Sequence, residues 1–151
     1  MSSKLVFLDI DGTLADERHE VPISAQEACK AARSRGHKLF ICTGRSMPKI
    51  ERGILDLGFD GVISVAANAF PKRFMECVNY AKGGEFDRAE KAYECLDEAV
   101  HALFEEGNPV GVKCALAEMG IIGPTMRLPL VEGSEALREK FRKLIAEYDL
   151  R

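Results

Sequence analysis

The chain has 151 residues, of which 46% are hydrophobic and 30% are charged, and its formal net charge is −3. These proportions are ordinary for a folded domain and exclude a disordered chain. The small negative charge offers no basic surface of the kind that binds nucleic acid, so we expect no nucleic-acid partner. Apolar stretches such as residues 62–70 are far too short to cross a membrane.

The amino terminus and the cysteines both indicate a cytoplasmic protein. Residues 1–4 lead directly into a strand-like segment, so we expect no signal peptide. The cysteines are odd in number, widely spaced and free of any Cys-x-x-Cys pair; they are Cys29, Cys42, Cys77, Cys95 and Cys114. We therefore expect buried, reduced thiols rather than disulfides or a zinc site.

The first half of the chain alternates between strand and helix patterns. Short apolar runs predict strands over residues 4–10, 37–42 and 60–66. Between them, Ser24 to Glu27 forms a capping-box pattern that opens a helix ending at Gly36, and a second helix starts near Pro48. This order predicts a short parallel sheet of about three strands with right-handed βαβ crossovers.

The second half has helical periodicity throughout. The pattern predicts helices over residues 71–82, 87–106 and 109–118, and a last helix capped by Ser134. The expected fold class is therefore α/β, with an all-helical carboxyl-terminal half packed on the sheet and covering the face that the crossovers leave bare. We expect regions 1–66 and 67–151 to share one core, because no flexible linker separates them.

Two carboxylates lie close together where the first strand ends. Asp9 and Asp11 are two residues apart, so their side chains project to the same side of the chain. Ligands of an open parallel sheet bind beyond the carboxyl ends of its strands. Paired carboxylates favour a shared hard cation such as Mg²⁺, with Asp9 and Asp11 as ligands. The alternative is that both residues only cap turns.

Two motifs of this half resemble the haloacid dehalogenase (HAD) superfamily of phosphatases, in its cap-bearing sugar-phosphatase branch. They are Asp-Ile-Asp-Gly-Thr at residues 9–13 and Thr-Gly-Arg at residues 43–45. The resemblance implies that Asp9 is the nucleophile and a metal ligand, and that Asp11 is the general acid/base. It also implies that Thr43 and Gly44 hold the phosphoryl oxygens, while Arg45 either joins them or orders the loop after Thr43.

The resemblance is incomplete after Arg45. The basic residue that bridges nucleophile and phosphate, the downstream acidic motif and the cap domain are not recognisable, and the spacing of Lys72, Lys82, Lys113 and Asp87 supports none of them as a replacement. We therefore expect a remnant Mg²⁺-dependent phosphohydrolase or phosphate-binding site, weakly active or inactive. A phosphorylated small molecule would be its ligand. A receiver-like phospho-acceptor domain is a weaker interpretation, because its late-strand lysine is also missing.

Residues from about 60 to 151 resemble a different family, the dihydrodipicolinate synthase and N-acetylneuraminate lyase family. The resemblance is carried by Gly-Val-Ile-Ser-Val-Ala-Ala-Asn at 61–68, Gly-Asn-Pro-Val-Gly-Val-Lys at 107–113 and Arg-Leu-Pro-Leu at 127–130. It implies the last strand and the helical extension of a (βα)₈ barrel, with the Schiff-base lysine on an earlier strand that is absent. Lys113 matches a non-catalytic position and is expected to be a solvated helix lysine.

The alternative function follows from this second resemblance. The chain would be a non-catalytic chimeric scaffold or a self-associating helical domain, with lyase ancestry and no lyase activity, joined near residues 61–64. The family is usually oligomeric, and the first strand would form an apolar sheet edge. We therefore expect a homo-oligomer that buries residues 4–9 or a face of the helix over 87–106.

Overall fold

The computed structural model describes residues 2–44 and 52–150. The chain divides into two compact units, residues 1–64 and 65–151, and each is described by itself. The first unit contains β1 (Leu5–Asp9), α1 (Ile23–Ser34), β2 (Lys38–Thr43), α2 (Arg52–Leu55) and β3 (Gly61–Ser64). The second contains α3 (Val65–Ala69), α4 (Pro71–Lys82), α5 (Phe86–Glu105), α6 (Val110–Glu118) and α7 (Glu135–Glu147). That the two units share one core stays a prediction.

The strands of the first unit form a parallel sheet in the order β1-β2-β3. Leu5 lies opposite Lys38 on β2, and Phe40 lies opposite Gly61 on β3. This confirms the predicted three-stranded parallel sheet. Since β1 pairs on one side only within this sheet, it is an edge strand.

The two faces of this sheet differ in their exposure. One face carries Leu39 and Ile41, which are buried in an apolar core together with side chains from α1, α2 and the segment after β1. The other face carries Leu5, Phe7 and Ile63, which are 61%, 50% and 52% exposed. The Phe7 ring stacks on Phe40 with a centroid distance of 5.1 Å. Within the first unit this second face has no layer of helices over it, and its covering by the helical half stays a prediction.

Helix α1 confirms its predicted end but not its predicted start. The backbone N–H groups of Gly36 and His37 donate to the carbonyls of Arg33 and Ala32, and Gly36 has φ +80°. This is a Schellman motif, which a glycine accommodates without strain. The capping box at Ser24 is wrong: the helix begins at Ile23, and its N-cap residue Pro22 makes no side-chain cap.

The third strand is shorter than its apolar pattern predicts. It ends at Ser64, and residues from Val65 form the short helix α3, after which the Phe70 N–H donates to the Ala66 carbonyl. Three of the five residues of α3 are alanine, the strongest helix former, so local propensity favours a turn of helix here. The apolar run that resembled one strand is therefore a strand followed by a helix.

The helical unit has a core at the contact of α5, α6 and α7. Leu96 and Leu103 of α5, Ala115 of α6 and Phe141 of α7 are fully buried. The ends of the helices match their sequence signals: Ser134 accepts the Leu137 N–H at 3.2 Å as the N-cap of α7. Among the described residues, no helix combines the length and apolar character that a membrane span requires.

Candidate functional site

The predicted catalytic residues lie along the carboxyl edge of the sheet. Asp9 is the last residue of β1 and pairs in register with Cys42, while Thr43 is the last residue of β2 and pairs with Ser64. Because side chains alternate along a strand, Asp9 belongs to the face of Phe7. Thr43 belongs to the opposite, core-facing side of the sheet. Their burial agrees, since Asp9 is exposed and Thr43 is only 8% exposed.

Asp11 lies in the tight turn that follows β1. The N–H groups of Leu14 and Ala15 both donate to the Ile10 carbonyl, and Gly12 takes φ +69° inside this turn. The Asp11 side chain is 59% exposed, with its Oδ1 atom 4.0 Å from Nδ1 of His19. An exposed pair at this distance contributes little to stability. The turn itself is therefore held by backbone hydrogen bonds.

The remaining residues of the predicted site are less informative. Gly44 is an exposed bend residue after β2, and Arg45 lies outside the described residues. Within residues 2–44 and 52–150, no three His, Cys, Asp or Glu side chains come close enough to hold a metal ion. The catalytic and phosphate-binding roles of Asp9, Asp11, Thr43, Gly44 and Arg45 stay predictions.

Lys113 has a structural contact in the helical unit. Its Nζ donates to the backbone carbonyl of Thr125, and the residue is half-buried on α6. The sequence predicted a solvated lysine, and the structure instead shows one that fixes a loop. Lys113 thereby fastens the long segment between α6 and α7, residues 119–134, to the helix before it.

This segment, which we call the α6–α7 loop, is anchored at both ends and in its middle. At its start, the N–H groups of Gly120 and Ile121 donate to the carbonyls of Ala117 and Leu116. In its middle, Pro124 and Met126 line a small cavity against α6. At its end, a Cβ atom on Gly133 would lie 3.2 Å from Sγ of Cys114, so this glycine packs closely on α6. The loop is therefore a fixed part of the unit.

The α6–α7 loop leaves its large apolar side chains exposed. Five are involved: Ile121 is 63% exposed, Ile122 39%, Leu128 87%, Leu130 40% and Val131 67%. Leu128, Leu130 and Val131 are close neighbours in the chain, and exposed apolar patches mark interaction sites in folded proteins. In the sequence, Arg-Leu-Pro-Leu at residues 127–130 stood out only as a family signature, and this surface was not predicted. The available signal was a set of large apolar residues outside any helical or strand period.

A charged cluster joins α6 to α7 beside this loop. Glu118 accepts hydrogen bonds from Nε of Arg138 at 2.7 Å and from Nε of Arg142 at 2.8 Å. The Glu118 side chain is 10% exposed. The Arg138 hydrogen bond, followed by that of Arg142, lowers the pKa of Glu118. Both guanidinium groups are engaged, so the cluster stabilises the helix pair rather than offering a free binding group.

Comparison with known proteins gives one family. The model of the dihydrodipicolinate synthetase family matches residues 24–148. The 4-hydroxy-tetrahydrodipicolinate synthase of Methanocaldococcus jannaschii is 42% identical over 97 residues, which are 64% of this chain and 34% of that enzyme. The enzyme of Parabacteroides distasonis is 38% identical over 98 residues, 65% of this chain and 33% of that one. The chain thus spans about a third of the length of these curated relatives.

Solved structures give the same result. A monomeric dihydrodipicolinate synthase variant superposes with a TM-score of 0.71 at 33% identity, covering 84% of this chain and 41% of that one. Dihydrodipicolinate synthase from Thermotoga maritima superposes with a TM-score of 0.68 at 34% identity, covering 81% and 40%. The three-stranded sheet and the helices are consistent with a fragment of that (βα)₈ barrel.

These matches correct the phosphatase interpretation. The family match begins at residue 24, inside the region assigned to a HAD-type hydrolase, and the relatives are synthases. The expected phosphohydrolase function is therefore wrong, and so is its Mg²⁺ cofactor, while nothing supports the expected phosphorylated ligand. The matched family forms a Schiff base on lysine and uses no metal. The resemblance of residues 60–151 to the lyase family is confirmed.

Proposed function

The chain belongs to the dihydrodipicolinate synthetase family, and on that premise we propose that it is a non-catalytic member that acts as a self-associating scaffold. The resemblance places its helical unit in the carboxyl-terminal part of the family fold, after the strand that carries the Schiff-base lysine. The proposal rests on one observation, the exposed apolar surface of the α6–α7 loop.

The absence of lyase chemistry is part of the proposal, and it is what the family resemblance of the carboxyl-terminal half implies. The chain covers about a third of the curated relatives. The resemblance implies that the Schiff-base lysine lies on an earlier strand, outside the matched tail. Lys113, the family-motif lysine in the described helices, donates to the Thr125 carbonyl. The Lys113 ammonium group therefore fixes the α6–α7 loop.

The exposed loop favours association with another protein surface. Leu128 is 87% exposed and Val131 is 67% exposed. Burying such side chains is worth about 1.5–3 kcal/mol each when burial is complete. A standard stable interface buries about 800 Å² on each partner, more than five side chains supply, so we expect a weak and reversible association.

The sequence suggested two association surfaces, the β1 edge and the helix over residues 87–106, and their exposed apolar residues differ in arrangement. The β1 edge remains a candidate, because Leu5 and Phe7 are exposed beside it. Helix α5, which corresponds to the predicted helix over 87–106, is a poorer candidate. Its exposed large apolar residues, Phe86 and Phe104, lie at opposite ends of the helix. The α6–α7 loop takes the place of that helix in the proposal.

Sedimentation over a range of concentrations tests the self-association. The wild-type chain should shift from monomer to oligomer at roughly tens of micromolar, as expected of a small interface. Leu128→Ser combined with Val131→Ser should abolish the shift. Ile23→Ser is the matched control, because Ile23 is 74% exposed but lies on α1. A wild-type chain that stays monomeric throughout would disprove the scaffold function.

Covalent trapping tests the absence of lyase chemistry. Pyruvate, the molecule named with the Acinetobacter baumannii relative, forms a reducible imine with a reactive lysine. Borohydride reduction followed by mass spectrometry should find no pyruvate adduct on this chain, whereas the Thermotoga maritima enzyme serves as the positive control. A specific adduct on one lysine would overturn the non-catalytic assignment. We also propose a cytoplasmic location, which suits the five free cysteines.

A further inference from the structure

Two opposite charges bracket the most exposed part of the α6–α7 loop. Arg127 precedes Leu128 and Glu132 follows Val131, and both charged residues are exposed. Most other charges of this unit are paired, as Glu118 is with Arg138 and Arg142. Within the part of the chain that the structure describes, neither the Arg127 nor the Glu132 side chain has a hydrogen bond or an ion pair.

The backbone between these charges forms a turn that projects the apolar residues. The Leu130 N–H donates to the Arg127 carbonyl at 3.1 Å, which closes the turn over Leu128 and Pro129. Leu128, at the tip, is the most exposed large apolar residue described. The anchors at Thr125 and Gly133 hold the two sides of the turn. The tip therefore projects from a turn whose two sides are anchored to α6.

From this arrangement we infer that the turn over residues 127–132 is a two-fold interface with a second copy of the chain. Arg127 of one copy pairs with Glu132 of the other, and Leu128, Leu130 and Val131 pack between the two ion pairs. The inference rests on the proposed self-association and identifies the surface responsible for it. A two-fold interface uses the same patch on both subunits, so each cross-contact occurs twice.

Charge complementarity identifies a second copy as the occupant. One cation precedes the apolar residues in the chain and one anion follows them, and two copies in antiparallel register would bring each cation opposite an anion. A basic or acidic partner would be attracted by one end and repelled by the other. Ion pairs at the rim of an interface are screened by salt, so the association should weaken as ionic strength rises.

Reciprocal charge exchange tests this pairing directly. Arg127→Glu alone or Glu132→Arg alone replaces both attractions by repulsions and should raise the dissociation constant about tenfold. The double variant Arg127→Glu/Glu132→Arg restores opposite charges across the two-fold axis and should recover wild-type association. Lys72→Glu is the matched control, since it makes the same change of charge at an exposed position on α4.

Each outcome separates the pairing from the broader function. Weakened single variants and a recovered double variant support the two-fold interface. If the wild-type chain associates but the single exchanges leave its dissociation constant unchanged, the interface lies elsewhere and this inference is overturned alone. A double variant that stays as weak as the single ones also overturns it. A monomeric wild-type chain overturns both this inference and the scaffold function.

Discussion

Glu106 and Ser134 lie 28 residues apart in sequence, yet the Glu106 carboxylate accepts both the backbone N–H and the hydroxyl of Ser134. The Ser134 N–H to Oε2 distance is 2.9 Å. The same hydroxyl oxygen accepts the Leu137 N–H at the start of α7. Glu106 thus takes the role that the third helical residue has in a capping box, but it comes from the end of another helix. This set of hydrogen bonds, which we call the Glu106–Ser134 relay, joins the end of α5 to the start of α7.

Removing either member of the relay should destabilise the helical unit. We expect Ser134→Ala to lower the free energy of unfolding by about 1 kcal/mol, as is usual for an N-cap residue. Glu106→Ala should cost less, and the double variant should cost less than the sum, because the two side chains act through one hydroxyl. Urea unfolding of the four proteins measures this coupling. Additive losses would show that the two residues act independently.

The acid sensitivity of the helical unit should depend on Glu118. Hydrogen bonds from Arg138 and then Arg142 lower its pKa from the ordinary value of 4.5. A lowered folded-state pKa means that the carboxylate stabilises the fold fully above about pH 4.5, and that this stabilisation is lost as pH falls through the folded-state pKa. Glu118→Gln should reduce stability near pH 7 and show a smaller further loss between pH 5 and 3, measured by thermal melting.

The control for this titration is Glu94→Gln, which changes an exposed carboxylate on α5. It should retain the wild-type slope of melting temperature against pH. Other carboxylates with a lowered pKa, including Glu106, keep part of the slope in every variant. An unchanged slope in Glu118→Gln would contradict a pH-dependent role of the charged cluster.

Gly111 should be irreplaceable where α6 crosses α5. A Cβ atom at this position would lie 2.1 Å from the Leu103 carbonyl oxygen and 2.5 Å from the carbonyl carbon, and backbone atoms of a packed helix cannot easily move. We expect Gly111→Ala to destabilise the protein by about 3 kcal/mol through overpacking. Gly123→Ala, where no atom lies within 4 Å of the added methyl group, is the control. Equal urea midpoints for the two variants would contradict this.

We expect the chain to have no phosphatase activity. Since the chain belongs to a family whose chemistry needs no metal, it should not hydrolyse p-nitrophenyl phosphate above background, with or without millimolar Mg²⁺. Asp9→Asn should behave as the wild type in this assay, and Mg²⁺ should not raise the melting temperature. Turnover that requires both Mg²⁺ and Asp9 would restore the rejected function.

The sequence predicted most elements because their signals are local. The helix over 71–82 was predicted at its observed limits, and Gly36 and Gly120 end helices where a left-handed residue is required. The misses have local explanations too. Pro22 rather than Ser24 precedes α1, and the alanines after Ser64 form α3 instead of extending the strand.

By itself, the sequence determined the parallel sheet, the helical second half and the lyase ancestry of that half. These could be predicted because periodicity, helix caps and family motifs depend only on residues close together in the chain. The motif around Asp9 and Asp11 was equally clear as a pattern, but it led to a wrong function. Only the tertiary structure decided that Glu106 caps α7 and that Gly111 touches Leu103. It also decided that the α6–α7 loop holds Leu128 and Val131 in solvent. These features depend on how separate helices and the loop pack together, which no run of consecutive residues specifies.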